Sequence, residues 1–198
     1  MNRFVLAPGL KTIDRVWRAN TEADRAVRAV VLALIGTGLL WASSRMQVPF
    51  WPVKMSLQSL VVMLIGAFYG SRLGAATVAA YLVEGLAGLP VFQSTPERGI
   101  GLAYMMGPTG GYLIGFIALA YLIGLAVERE YARSLLLMTL AALAANILMF
   151  GCGIGWLATF FGLEKAVSYG LLPFLMPDAV KILIAASVTV AASRLAAR

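Results

Sequence analysis

The chain has no histidine, one cysteine and only nine carboxylate side chains among its 198 residues. Without histidine there is no histidine-ligated metal site and no Ser-His-Asp triad. One cysteine cannot form an intrachain disulfide. Cys152 lies in an apolar run and reads as a small packing residue. The chain also lacks G-x-x-x-x-G-K-[ST], G-x-S-x-G and H-E-x-x-H, which excludes P-loop ATP hydrolysis, a nucleophile elbow and a zincin site. No catalytic constellation remains, so neither enzyme activity nor a cofactor is expected. Charged residues are scarce at 13%, and hydrophobic residues reach 61%. Soluble domains hold about 25% and about 45–50% respectively. A fold this small cannot hide so much apolar surface from water, so its solvent is lipid.

The net charge of +7 is concentrated rather than spread. Arg3, Lys11, Arg15, Arg18, Arg25 and Arg28 all precede the first apolar run. A basic cluster beside a membrane segment sets topology. It is not interleaved with exposed aromatics, and nucleic-acid binding is not expected. The first 25 residues mix acids and bases around no short apolar core, so they do not read as a cleavable signal. Residues 1–25 are expected as a cytoplasmic segment. Phe4, Val5, Leu6, Ile13, Val16 and Trp17 let it lie along the membrane, or it is a loosely ordered tail. Thr21-x-x-Asp24 predicts a helix cap.

Residues 26–198 divide into six expected crossings. The charge-free runs are Ala29–Ser44, Met55–Ser71, Leu73–Val83 (extended past Glu84 to Val91), Gly99–Val127, Ser134–Leu163 and a sixth from about Tyr169 to Ser193. A crossing needs about 20 residues. The fourth and fifth runs exceed that and are expected to place the excess in loops or tilted ends. Six crossings put both ends on one side. That side gathers the N-terminal bases with Arg72, Arg129, Arg133, Arg194 and Arg198. The other holds Arg45, Lys54, Arg98 and Lys165. The excess predicts cytoplasmic termini and outward connections at 45–55, 92–106 and 162–168.

Asp178 and Lys181 interrupt the sixth run. Each ionisable group at mid-bilayer costs about 2.5–3.5 kcal/mol on insertion scales. Three apart on a helix, they share a face. Either they neutralise each other and hold helices together, or they face a polar cavity. Pro177 fits the first turn of a helical segment that follows the break in Gly170–Pro173. A second informative stretch is LPVFQSTPERGIGLAYMMGPT, residues 89–109, where Pro90, Pro96, Pro108, Gly99, Gly101 and Gly107 deny a regular helix. It is either a surface loop or an apolar lid whose Arg98 meets an anion. A third is PFWPVKMSLQ, residues 49–58. Trp51 suits an interface belt or a stacking wall, and Gln58 can offer its amide to a ligand or to a neighbouring backbone. Small residues at four-residue spacing, Ala29 with Ala33, Gly70 with Gly74 and Gly111 with Gly115, allow close helix approach in lipid.

PVKMSLQ (52–58), AYLVEGLAGLPVF (80–92), GPTGGYLIGF (107–116) and PDAVK (177–181), in that order, resemble the BioY family. These are the biotin-binding substrate-capture (S) subunits of energy-coupling factor (ECF) vitamin transporters. The resemblance runs from about residue 25 to 195. It departs at Lys54 and Ser56, where the family commonly has PVPxTLQ, and in the longer insert QSTPERGIG. The resemblance implies an all-α integral membrane protein with a six-helix S-component bundle and an outward-facing vitamin pocket. It implies biotin uptake across the bacterial cytoplasmic membrane. Partners would be a transmembrane coupling protein and an ATPase pair, which alone hydrolyse ATP, with the coupling protein docking on Ala29 and Ala33. In the implied site Lys181 donates to the ureido carbonyl, Asp178 accepts from a ureido N–H, and Arg98 pairs with the carboxylate. Gln58 offers its amide, while Trp51, Phe92 and Tyr112 form the apolar wall.

Overall fold

Thr21 caps the first helix as its spacing to Asp24 predicts. Asp24 N–H donates to Thr21 Oγ1 at 3.0 Å, and Thr21 N–H donates to Asp24 Oδ2 at 3.1 Å. The reciprocal pair satisfies two backbone donors that a helix start leaves free. The computed structural model describes residues 21–48, 55–97 and 99–197. The apolar residues expected on the surface segment, Phe4 to Trp17, lie outside them. So do Trp51 and Arg98. Helix α1 is Glu22–Arg45, so the end of the expected 1–25 segment already belongs to the bundle.

Strand β1 (Gln47–Val48) pairs antiparallel with β2 (Met55–Ser56), Gln47 opposite Ser56 and Val48 opposite Met55. The second crossing was expected to begin at Met55. The strand pairing takes Met55 and Ser56 instead, and α2 begins at Gln58 (Gln58–Tyr69). Gly70, at φ +84°, makes the turn into α3 (Ser71–Leu86) in a conformation that side chains with a Cβ avoid. The fourth run splits. Its excess forms a five-residue helix α4 (Gly101–Met105), and α5 (Gly110–Glu128) makes the crossing. The fifth run does not split: α6 (Leu135–Phe161) is a single helix of 27 residues. The expected outward connection at 162–168 holds its own helix, α7 (Leu163–Gly170). A 3₁₀ turn at Leu172–Phe174 marks the expected break, and α8 (Leu175–Ala197) follows with Pro177 in its first turn.

The protein is a helical bundle, with one short strand pair, in which α1, α2, α3, α5, α6 and α8 are the principal helices. Glu22–Arg45, Gly110–Glu128, Leu135–Phe161 and the apolar stretch Leu163–Ala196 are long enough to cross a membrane. Helices α2 and α3 are shorter, at 12 and 16 residues. Large apolar side chains face outward on the long helices, among them Leu34, Leu136, Ile147 and Leu183, as lipid-facing surfaces require. The interior is filled by Leu40, Met63, Val78, Leu119, Ile123 and Met138.

Of the small-residue pairs, Gly111 with Gly115 packs as its spacing predicts, while Gly70 lies in the turn between α2 and α3 rather than on a helix face. A Cβ on Gly111 would strike Trp156 and the Cys152 carbonyl, and one on Gly115 would strike Met149, so α5 and α6 are in backbone-level contact. Gly74 of α3 meets Gly66 of α2, and Gly66 in turn meets the Ala120 backbone of α5. Glu128, at the end of α5, accepts from Ser71 N–H at 2.8 Å and from Ser71 Oγ at 2.9 Å. A carboxylate at a helix N-terminus satisfies free N–H groups and complements the helix dipole. These contacts gather 70–71 and 128–133 at one end of the bundle. The opposite end collects the residues after α1, the 87–109 connection and α7. The described chain therefore enters α1 and leaves α8 at the same end.

Candidate functional site

Helix α8 places Asp178 and Lys181 one turn apart on its buried face, 5% and 8% exposed. Lys181 Nζ lies 2.9 Å from Asp178 Oδ1. Ser59 of α2 completes a triangle: its Oγ donates to Asp178 Oδ1 at 3.1 Å and accepts from Lys181 Nζ at 3.1 Å. Ion pairing and the hydroxyl together offset the cost of removing two charges from water. Both expected readings of the pair hold at once. It ties α8 to α2, and it lines a cavity.

That cavity has a volume of about 610 Å³, inside the range of about 300–1,000 Å³ common for small-molecule sites. Asp178, Lys181, Ser59 and Gln58 form its charged and polar end. Tyr112, Phe116, Met149, Phe150 and Phe174 form an apolar wall. Tyr112 stands edge-on to Phe150 with ring centroids 6.1 Å apart, and its hydroxyl donates to the Gly170 carbonyl at 2.9 Å. That bond ties α5 to the end of α7. Gly153 and Gly170 leave the space in which the Tyr112 ring lies.

The 89–109 connection, which carries the short helix α4, is not a free loop. Gln93, Ser94, Tyr104, Pro108 and Thr109 all line the cavity, largely with polar groups. It is held down by α1: Arg45 Nη1 donates to the Thr95 carbonyl at 2.9 Å, and Arg45 Nη2 to the Pro90 carbonyl at 2.8 Å. Trp156 Nε1 donates to the Gly107 carbonyl at 2.9 Å from the α6 side.

The structure brings Asp178, Lys181, Gln58 and Tyr112 to one cavity. It does not bring Phe92. That ring, expected in the apolar wall, is 1% exposed and absent from the described lining. It stacks on Tyr104 at 5.0 Å, meets Tyr81 edge-on at 5.4 Å, and occupies the space beside Gly85. The missing Cβ of Gly85 makes that seat, so Phe92 anchors the lid from below instead of facing a ligand. Trp51 and Arg98 lie outside the described residues. Ala29 and Ala33 are half-buried, on the α1 face that also carries the buried Gly36 and Leu40.

Sequence reading missed Ser59, the hydroxyl shared by both charges. Its signal was adjacency to Gln58, as the second polar residue at the start of an otherwise apolar helix. Phe150 and Phe174 were missed because an aromatic in a transmembrane run looks the same whether it faces lipid or a ligand.

The chain matches the family model described as the BioY family over residues 15–198. It is 32% identical over 171 residues to the biotin transporter BioY of Thermotoga maritima, an alignment covering 85% of this chain and 98% of that protein. It is 37% identical over 145 residues to the biotin transporter BioY of Rhizobium etli, covering 69% and 76% respectively. Among solved structures it is similar to the S-component for biotin from an ECF-type ABC transporter. The TM-score is 0.73 at 23% identity, covering 89% of this chain and 95% of that one. This last likeness is one of fold.

Proposed function

Because this chain belongs to the BioY family, we propose that it captures biotin as the substrate-specific subunit of an ECF-type transporter in the bacterial cytoplasmic membrane. It is a transport protein and not an enzyme. ATP hydrolysis falls to an ATPase pair, and a transmembrane coupling protein joins that pair to this subunit. The observation that carries the reading is the buried Asp178–Lys181 pair at the polar end of a cavity with an apolar wall. Biotin has the matching layout: a ureido ring at one end, an apolar thiophane ring, and a carboxylate on a four-methylene chain.

In this reading Lys181 donates to the ureido carbonyl and Asp178 accepts from a ureido N–H. Gln58 contributes its amide, and Tyr112 with Phe150 covers the thiophane ring. Trp51 adds to the apolar wall, and Arg98 pairs with the ligand carboxylate. Ala29 and Ala33 serve the coupling protein.

The test is binding of biotin, thiamine and riboflavin to the purified chain. Biotin alone should bind with submicromolar affinity and raise the thermal transition. Biotin amide, in parallel with an Arg98→Ala variant, reads the carboxylate contact: the variant should lose affinity for the acid and not for the amide. Equal binding of all three vitamins, or of none, overturns the reading.

A further inference from the structure

The Tyr81 hydroxyl lies between two groups of different kinds. On one side the Val91 carbonyl, 2.7 Å away, can only accept a hydrogen bond. On the other, the Gln58 side-chain amide lies 2.8 Å away and can present either its oxygen or its nitrogen. A phenol has one proton to give. Donated to Val91, it leaves the Tyr81 oxygen as an acceptor, and the Gln58 amide must turn Nε2 toward it. Ser44 Oγ lies 2.9 Å from the Val91 carbonyl and 2.7 Å from the Trp41 carbonyl, and shares its one proton between them from the α1 side. Ser44 and Tyr81 are wholly buried and Gln58 is 3% exposed, so water does not offer alternative partners along this chain of bonds.

The relay leaves Gln58 Oε1. It makes no hydrogen bond among the described residues, and Gln58 lines the cavity next to Ser59, Asp178 and Lys181. We propose that Tyr81 is a specificity-determining positioning residue, which turns Gln58 Nε2 toward itself and so presents Gln58 Oε1 to the ligand as an acceptor. The polar end of the cavity then offers two acceptors, Gln58 Oε1 and the Asp178 carboxylate, and one cationic donor, Lys181. A cyclic urea is the complement of that set: two N–H donors flanking one carbonyl. A ring that replaces either N–H by an acceptor meets an unpaired oxygen in a buried site, which is the strong way to reject a ligand.

This assignment rests on the biotin reading, and a double-mutant cycle separates the two. The full chain is purified in detergent, and biotin is titrated against wild type, Tyr81→Phe, Gln58→Leu and the double variant. Tyr81→Phe should weaken binding by about three- to tenfold in the wild-type background, the range of one neutral hydrogen bond. In the Gln58→Leu background it should change affinity by less than about twofold, because no amide is left to orient. If Tyr81→Phe inserts poorly, Ser44→Ala weakens the same carbonyl anchor and should show the same background dependence. A Tyr81→Phe loss that is equal in every background means Tyr81 acts by packing, and overturns the relay. A wild type that does not bind biotin overturns the reading beneath it.

Discussion

Arg45, in the last turn of α1, holds the Thr95 carbonyl at 2.9 Å across fifty residues of sequence. With its second bond, to Pro90, it fixes both ends of the lid segment that carries Gln93 and Ser94 to the cavity. Arg45→Gln keeps a polar side chain and removes the fork. Biotin dissociation should quicken by about three- to tenfold, the loss of one or two charge-assisted bonds to carbonyls partly offset by water. Hydrogen exchange should rise at residues 93–97 and stay unchanged at α5. Unchanged exchange there would show that the lid is held without Arg45.

The pair on α8 gives a prediction with two readouts. Asp178→Asn and Lys181→Met should each weaken biotin binding at least about tenfold, or 1.4 kcal/mol. Lys181→Met leaves the Asp178 carboxylate buried with only Ser59 beside it. Removing one member of a buried pair costs more than replacing both. The ligand-free Lys181→Met protein should therefore melt below the Asp178→Asn/Lys181→Met double variant. The reverse order of melting would mean the two charges are not coupled.

Ala29 and Ala33 sit at the opposite end of α1 from Ser44 and Arg45. From Ala33 to Ser44 the helix rises about 16 Å, at 1.5 Å per residue. Ala29→Leu with Ala33→Leu should leave biotin binding to the isolated subunit within about twofold, the scatter expected of distant sites. The same variant should reduce co-purification with a coupling protein and its ATPase, since small side chains permit close helix contact. Lost binding with an intact complex would invert the assignment.

Glu128 caps α3 from the end of α5. Glu128→Ala should lower stability by about 1 kcal/mol, typical of a lost cap, without altering biotin affinity. Thermal unfolding in detergent with and without biotin checks both halves. An unchanged melting temperature would mean water replaces the carboxylate at no cost.

Local rules were legible wherever few partners decide the outcome. The Thr21 cap, the break before Pro177 and the shared face of Asp178 and Lys181 each follow from residues within four positions. Partners drawn from distant helices were not legible. Ser59 meets Asp178 across 119 residues, and no local pattern in QSLVVM foretells it. Phe92 was misplaced for the same reason. Its seat is made by Gly85 and two tyrosines on other segments, and sequence alone shows only an aromatic beside a loop. The start of α2 moved because Gln47 and Val48 claim the backbone of Met55 and Ser56 as a ladder.

The shortness of α2 changes how far a captured molecule has still to travel. Gln58 and Ser59 stand at its cavity end and Tyr69 at the other, 12 residues in all. At 1.5 Å per residue that is about 18 Å, against a hydrocarbon layer of about 30 Å. With Tyr69 set at one edge of that layer, Ser59 lies inside it, and a ligand held by the partners of Ser59 would rest below the surface. The dielectric barrier left beneath such a ligand would be about the length of one short helix, so transport from this site would be release across that remaining thickness rather than passage through a whole bilayer.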